Sequence, residues 1–464
     1  MKSVLSRRKF LMIAASSGGA LALAACAAQP TPAPAPQQPA ATAETKPTEA
    51  PPPPTEAPAA TPEPTLAPPP AEATTIELWV QEVSIAPQKK VSADFMAKTP
   101  NIKLNFVPTT LADTTTKLLA SIAAGSGAPD LAFVQYNDIV NFTLRGGEGI
   151  ADLAPMIADR KDEWLAWCLK IVTTDAGKIL GIPTDVGIAA NFYSRDVFDK
   201  AGIKSDPESV KAATATWDDY LVAAKKVKEV GSQWILANAS ELFEVFRQQK
   251  GQAYFDKSGE PIVNTEEFVS AATYAQEFRK AGLDANVSVW GNEWGDMMVK
   301  RVIGTYPYAA WWDIILHAYT PDSAGSWGVA PLPGGANANF GGSYYLIPDQ
   351  STKKEAAWAY ASYAVGTLEG IEAYLTGGAG LWLPGWKKSY ELPVFTNPDP
   401  YYGGQEWLKI FTENADNVPD IYLTVNDSVA AQAVGEALAS VLDDGKDPQQ
   451  AFDAANQQIK EMIG

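Results

Sequence analysis

The chain is 464 residues long with 46% hydrophobic and 10% aromatic content, enough to bury a large core. Its 36 Lys and Arg face 54 Asp and Glu, a net charge of −18, and such a surplus of carboxylates argues against a general nucleic-acid binder, which needs clustered cations. A single His, His317, and two Cys exclude His-dominated metal centres and Cys-rich zinc sites.

Residues 1–25 have the pattern of an export signal. Ser6-Arg7-Arg8-Lys9-Phe10-Leu11-Met12 is followed by a short run of small and apolar residues, Ile13–Ala25, too short to span a bilayer. The paired arginines with Phe and Leu after them resemble a twin-arginine signal, and Leu23-Ala24-Ala25-Cys26 resembles a bacterial lipobox, in which Cys26 becomes the acylated first residue. Residues 26–75 then form a tether. Sixteen of the 35 prolines fall between Ala27 and Thr75, a stretch without aromatic residues, so it has almost nothing to bury and is expected to stay solvated and partly extended. At about 3.1 Å per residue it reaches on the order of 150 Å. The charges of signal and tether cancel, so the whole −18 belongs to Ile76–Gly464, as do all 14 Trp.

From Ile76 strand and helix patterns alternate. Ile76, Leu78 and Val80 recur at every second residue, and Val91 and Phe95 stand at helical spacing within Lys89–Lys98. Ile102, Leu104 and Phe106 alternate again. Asp113 is placed to cap a helix carrying Leu118, Leu119 and Ile122 and stopped by Gly125, after which Leu131–Val134 gives a short apolar strand. This order predicts α/β layers around a mostly parallel sheet. Cys168, in the aromatic and helical-looking stretch Trp164–Lys170, fits a small buried hydrophobe. Helical patterns dominate later, over Thr265–Lys280, Lys353–Val365 and two segments near the end. The last has Asp447 as N-cap, Pro448 at its first position, Gln450 to close a capping box, and an apolar stripe of Ala451, Phe452, Ala455, Ile459, Met462 and Ile463.

Catalytic signatures are missing. No phosphate-cradling Gly-rich loop follows a strand, and Gly342-Ser343-Tyr344 does not complete a nucleophile elbow. His317 lacks a patterned partner, which points to a packing or surface role. Carboxylate pairs such as Asp218-Asp219 and Asp443-Asp444 are expected by chance in so acidic a chain and fit solvated helix ends. The aromatic residues say more. Trp290, Trp294, Trp311, Trp312, Trp327, Trp382 and Trp386 sit among Gly, Asn, Asp and Tyr, where an indole face suits an amphipathic ligand such as a sugar, although packing is an equally good account of any one of them.

Several segments follow one another in a familiar order: Ile76-Glu77-Leu78-Trp79, Leu119–Gly125 before Ala128-Pro129-Asp130-Leu131, Gly181-Ile182-Pro183-Thr184-Asp185 leading into Asn191–Phe198, Thr216-Trp217-Asp218-Asp219-Tyr220, Pro331–Gly335 before Gly341–Tyr344, and Val441–Pro448. In these the chain from Ile76 onward resembles the family 1 extracellular solute-binding proteins, maltose-binding-protein-like carbohydrate receptors of ABC importers. The resemblance implies an α/β, two-lobed periplasmic-binding-protein-like fold with a hinge and an interlobe ligand cleft. The first lobe would hold 76–185 and 340–391, the second 186–338 and 392–464.

By the same resemblance, the cleft would draw Gln81, Glu82, Asp113, Thr114, Tyr136, Asn137 and Asp138 from the first lobe, and Asp185 and Gly187 from the crossing. Gly187 departs from maltose-binding protein and puts that ligand in doubt. Asn238, Ser240, Trp294, Trp311, Trp312 and Asp313 would come from the second lobe, joined by Tyr344, Trp382 and Tyr422. The implied partners are a carbohydrate, the permease subunits and, through Cys26, the membrane. The protein would be a monomer anchored at the outer face of the cell membrane, not an enzyme, with no metal, cofactor or nucleic acid. The rival readings are a receptor for another polar solute (a polyol, glycerol phosphate or a polyamine), a tethered carbohydrate-active enzyme, and a surface adhesion lipoprotein.

Overall fold

Ile76, Leu78 and Val80 are fully buried on β1 (Thr74–Gln81), where the alternation predicts a strand, and each contributes roughly 1.5–3 kcal/mol of apolar burial. Helix α1 (Ile85–Lys98) follows with Val91 and Phe95 inward, then β2 (Ile102–Thr109), α2 (Leu111–Ala124) and β3 (Leu131–Gln135). The structure, a computed structural model, describes residues 73–464 other than 378–381 and 414, all within one compact unit, Glu63–Gly464. The export signal, Cys26 and the tether up to residue 72 lie outside the described residues.

Helix α2 begins one turn earlier than expected. Its cap is Thr110, whose hydroxyl accepts the Asp113 backbone N–H at 3.2 Å; Asp113 stands in the first turn, where its charge meets the positive end of the helix. Gly125 ends the helix in the left-handed conformation, φ 70°.

Among the seven strands of the sheet, β1, β2 and β3 make the expected parallel arrangement. The rest of the sheet, β4 (Gly181–Ser194), β5 (Thr305–Ala309), β6 (Trp327–Ala330) and β7 (Asn339–Leu346), is antiparallel, in the order β2-β1-β3-β7-β4-β5 with β6 also on β4. A parallel neighbour needs a crossover connection, whereas β7 returns from a distant part of the chain and enters head-on.

β4 organises the molecule. All of its residues are buried. Gly181–Ile188 pairs with β7, and Ala189–Tyr193 with β5, so the strand changes partners between Ile188 and Ala189. Two register irregularities precede this change, beside Asp185 and Gly187, and opposite them Gly341 and Gly342 take φ of 108° and 109°. Gly187 is required by close approach, since a Cβ there would stand 2.5 Å from the Phe340 carbonyl carbon. β3 runs toward the partner change from one side, and β5 and β6 run toward it from the other. With β1 parallel to β3, the C-terminal ends of all four collect at one seam.

Beyond β4 lie α3 (Trp217–Glu229), α4 (Ser240–Gln249), α5 (Glu266–Lys280), α6 (Asn292–Lys300), α7 (Trp312–Tyr319), α8 (Lys354–Gly366), α9 (Asp427–Asp443) and α10 (Pro448–Ile463). The predicted helices near 265–280, 353–365 and 447–463 thus form to within about a residue of their expected ends. At α10, Asp447 accepts the Gln450 N–H at 3.0 Å, but the full reciprocal box forms at α3, between Thr216 and Asp219. Ala451, Phe452, Ala455 and Ile459 are buried; Met462, in the last turn at the chain end, is exposed.

One cluster of buried side chains runs from Ile76 through β4 to Trp312 and Phe411, and a second joins Tyr193 and Phe198 to α3, α4, α5, α9 and α10. Cys168 is a buried free thiol inside the first cluster, and burial pushes its pKa well up. Among the described residues no helix is long and apolar enough to cross a membrane.

Candidate functional site

The seam collects predicted site residues unevenly. On the β1–β3 side, Gln81 ends β1 and is buried, Glu82 after it is exposed, and Tyr136, Asn137 and Asp138 follow β3. Thr114 is buried with its hydroxyl 2.6 Å from that of Thr109, and the neighbouring Thr115 donates to Asp138 at 2.8 Å, joining the start of α2 to the end of β3. Burial raises the Asp138 pKa, against the pull of that hydrogen bond. Tyr136 packs edge-on against Trp167 and reaches Asn339, the first residue of β7, whose amide oxygen accepts the Gly187 N–H at 3.1 Å.

Asp185 lies inside β4 and accepts from the Thr184 hydroxyl at 2.9 Å, with Ser343 on the paired strand also bonding to it. Burial pushes its pKa up to about 7, opposed by these two hydroxyls. Its titratable surroundings are Tyr344, Tyr345, Tyr374 and Cys168. Trp382 is half-buried beside the crossing, where Leu383 bridges to Val186, and its ring stands edge-on to Tyr374.

On the β5 side the side chains are aromatic. Tyr308, at the end of β5, donates its hydroxyl to Glu241 at 2.8 Å, and the other Glu241 oxygen accepts the Asn238 N–H at 3.1 Å. Burial pushes the Glu241 pKa up to about 7, against these hydrogen bonds. Trp311 donates its indole N–H to the Phe340 carbonyl at 3.0 Å, tying the β5 end to the start of β7. Trp290 covers this group from outside, its ring 5.6 Å from Tyr308 and 6.3 Å from Trp311.

Other predicted residues are committed elsewhere. Trp294 and Trp312, expected among the ligand contacts, have no exposed surface and pack edge to face with Tyr306 near by; they support the aromatic wall from behind. Trp327 and Trp386 are core as well. Asp313 accepts from the Tyr402 hydroxyl at 2.6 Å and pairs with His317 one turn on, which gives His317 the partner that its sequence context lacks. Burial lowers the His317 pKa, but the Asp313 hydrogen bond and charge outweigh it and raise the value. Tyr344 is buried and donates to the Cys168 carbonyl at 3.2 Å. Asn238 donates its side-chain amide to the Val287 carbonyl at 3.1 Å, and its amide oxygen accepts from Arg279 on α5 and from the Ser240 N–H, with Ser240 half-buried beside it. Tyr422 is exposed on a segment of its own. A groove of about 260 Å³ between α4 and α5, lined by Phe243, Phe246 and Tyr274, contains none of the predicted residues.

This architecture of converging strand ends and a single partner change is matched by a known family. The profile described as bacterial extracellular solute-binding protein aligns with residues 90–403. The chain belongs to this family. The solute-binding protein is 28% identical to the arabinooligosaccharide-binding protein of Bacillus subtilis over 78% of this chain and 85% of that one. It is 24% identical to the lactose-binding protein of Rhizobium radiobacter over 76% and 84%. Among solved structures, an extracellular solute-binding protein of family 1 superposes with a TM-score of 0.75 at 24% identity, covering 84% of this chain and all of that one. A binding protein from B. animalis subsp. lactis, in complex with β-1,6-galactobiose, superposes with a TM-score of 0.65 at 25% identity, covering 84% and 98%. These likenesses establish the two-lobed α/β fold, and the family places the solute-binding protein outside the cytoplasm.

The residues that sequence reasoning left out of the site are Glu241, Tyr308, Trp290 and Asn339. Trp290 stood in a segment already marked by its indoles, and Tyr308 precedes Trp311 by three residues. Glu241 carried no signal beyond following Ser240, because its burial is decided by Tyr308, distant in sequence.

Proposed function

We propose that this solute-binding protein captures a carbohydrate, a mono- or oligosaccharide, in the seam and delivers it to the permease of an ABC importer, without catalysing a reaction. The observation that carries this reading is the pairing of surfaces across the seam: an aromatic group of Tyr308, Trp311 and Trp290 on one side, hydroxyls and carboxylates on the other. A sugar ring presents an apolar C–H face and a rim of hydroxyls that both donate and accept, so it matches such a pair. The arabinooligosaccharide and lactose receptors among the relatives, and the galactobiose complex, support the same chemistry.

The ligand would be met by Gln81, Glu82, Tyr136, Asn137 and Asp138 from the first lobe, and by Glu241, Tyr308 and Trp311 from the second, with Trp382 at the crossing. The lobes divide as 76–185 with 340–391 and 186–338 with 392–464, and hinge closure selects the liganded form that the permease recognises. The protein is a monomer held to the outer face of the membrane by a lipid on Cys26, exported through the twin-arginine route, with residues 26–75 as spacer. Isothermal titration and tryptophan fluorescence against a panel of sugars, polyols, glycerol phosphate and polyamines test the reading. Saturable binding and thermal stabilisation by a sugar are expected, and a full sugar panel without either response overturns it. Cys26→Ser is expected to release the protein from the membrane fraction; retention there removes the anchor.

A further inference from the structure

Among the described residues, four other than glycine have positive φ: Ser232, Asn286, Trp290 and Arg301. Ser232 and Asn286 are small and polar, and Arg301 is the left-handed cap that ends α6. Trp290 is different. It sits in a turn closed by the Gly291 N–H donating to the Ser288 carbonyl at 3.0 Å, with φ 67° at the third residue, the pattern of a type II turn. Glycine or asparagine belongs at that position, and a bulky aromatic is strained there.

Core packing does not account for the strain, because Trp290 is 48% exposed. What its conformation achieves is placement. Leu236 bridges in parallel to Asp284, and the Val287 N–H donates to the Ala237 carbonyl, so the segment leading to Trp290 runs alongside the one leading to Asn238. Trp234 bridges in parallel to Ile303, just before β5, so both segments share its direction and emerge at the edge that carries Trp311. The turn then folds the indole back over this edge, 4.9 Å from Trp294 and tilted only 26° from the plane of Trp311. The inner members of the group are fixed, Tyr308 by Glu241 and Trp311 by Phe340, while Trp290 keeps much of its surface free.

We propose that Trp290 forms an outer subsite on which a second sugar ring of an oligosaccharide stacks, so that it sets the preference of the protein for chain length. This rests on the carbohydrate reading above. A ring seated deeper, against Tyr308 and Trp311, has its stacking partners without Trp290; a ring linked to it and lying farther out has Trp290 as its exposed apolar face. The turn geometry supplies a variant that separates binding from folding. Trp290→Gly places at the strained position the residue that the turn prefers, so its melting temperature should equal or exceed that of the wild type.

Isothermal titration of the full-length wild type, Trp290→Gly and Trp290→Phe with L-arabinose, arabinobiose and arabinotriose, and with galactose, lactose and β-1,6-galactobiose, tests the proposal. In whichever series binds, the ratio of oligosaccharide to monosaccharide affinity is expected to fall about ten-fold in Trp290→Gly, and to stay within about three-fold of wild type in Trp290→Phe, which keeps a stacking face. An unchanged ratio in a glycine variant that melts no lower than wild type overturns the subsite and leaves carbohydrate binding standing. A wild type that binds neither these sugars nor any member of the full sugar panel overturns both.

Discussion

On the β1–β3 side of the seam, the strand ends carry Gln81, Tyr136 and Asp138, and the last two are tied to neighbouring elements, Tyr136 to Asn339 and Asp138 to Thr115. On the β5 side, Tyr308, Trp311 and Trp290 offer ring faces, and the one carboxylate, Glu241, lies beneath them with both oxygens occupied. The first side presents hydrogen-bonding groups and the second presents apolar area. The difference teaches that the seam is amphipathic across its width, and the two sides meet at β4 and β7, where backbone approach is closest.

The sharpest way to break the comparison is at that meeting point. A Cβ at Gly187 would stand 2.5 Å from the Phe340 carbonyl carbon and 2.6 Å from the Gly341 nitrogen, both backbone atoms that cannot rotate aside. Gly187→Ala should lose about 3 kcal/mol, read as a lower denaturation midpoint at unchanged slope. Gly435, exposed on α9 with nothing within 4 Å, is the contrast: Gly435→Ala should gain up to about 1 kcal/mol. Equal effects at the two glycines would mean that the crossing is not tightly packed.

The carboxylates sharpen the comparison through pH. Glu241 has its folded pKa raised to about 7 by burial, above an unfolded value of about 4.3. Its contribution to stability is therefore fully present below about pH 4 and is lost as pH rises through 7. Glu241→Gln removes the ionisation, and the Tyr308 hydroxyl can turn to accept from the new amide. The melting temperature of this variant relative to wild type should rise by several degrees between about pH 4 and pH 7.5 and then level off. Asp185, also pushed up to about 7, remains in both proteins and cancels in the difference. A difference that does not change with pH would show that Glu241 is already ionised or solvated.

Much of the fold was legible because it rests on local periodicity. The alternation in β1, the spacing of Val91 and Phe95, Gly125 and the Asp447 cap all appear where local rules put them. Strand direction was less legible: β7 joins β3 antiparallel, a pairing between segments about two hundred residues apart that no local pattern encodes. The aromatic side of the site was half legible. Composition marked the segments with Trp290, Trp294, Trp311 and Trp312, but not which indoles would be buried. Helix position decides that: Trp294 and Trp312 face inward from α6 and α7, while Trp290 is turned outward by a backbone conformation that propensity disfavours.

The smallest expected effect concerns the link between the two sides. Trp311 donates its indole N–H to the Phe340 carbonyl, so the aromatic wall is registered against the strand that enters the other half. Trp311→Phe keeps a ring for stacking and removes the donor. A neutral hydrogen bond of this kind contributes about 1 kcal/mol, which in a chain of this size moves the melting temperature by about 2 °C. Affinity should fall further than stability, because a ring freed from its anchor loses part of its alignment with Tyr308 and Trp290 before any sugar arrives. If both fall in step, the bond only holds the lobes together; if affinity falls alone, its role is to aim the platform.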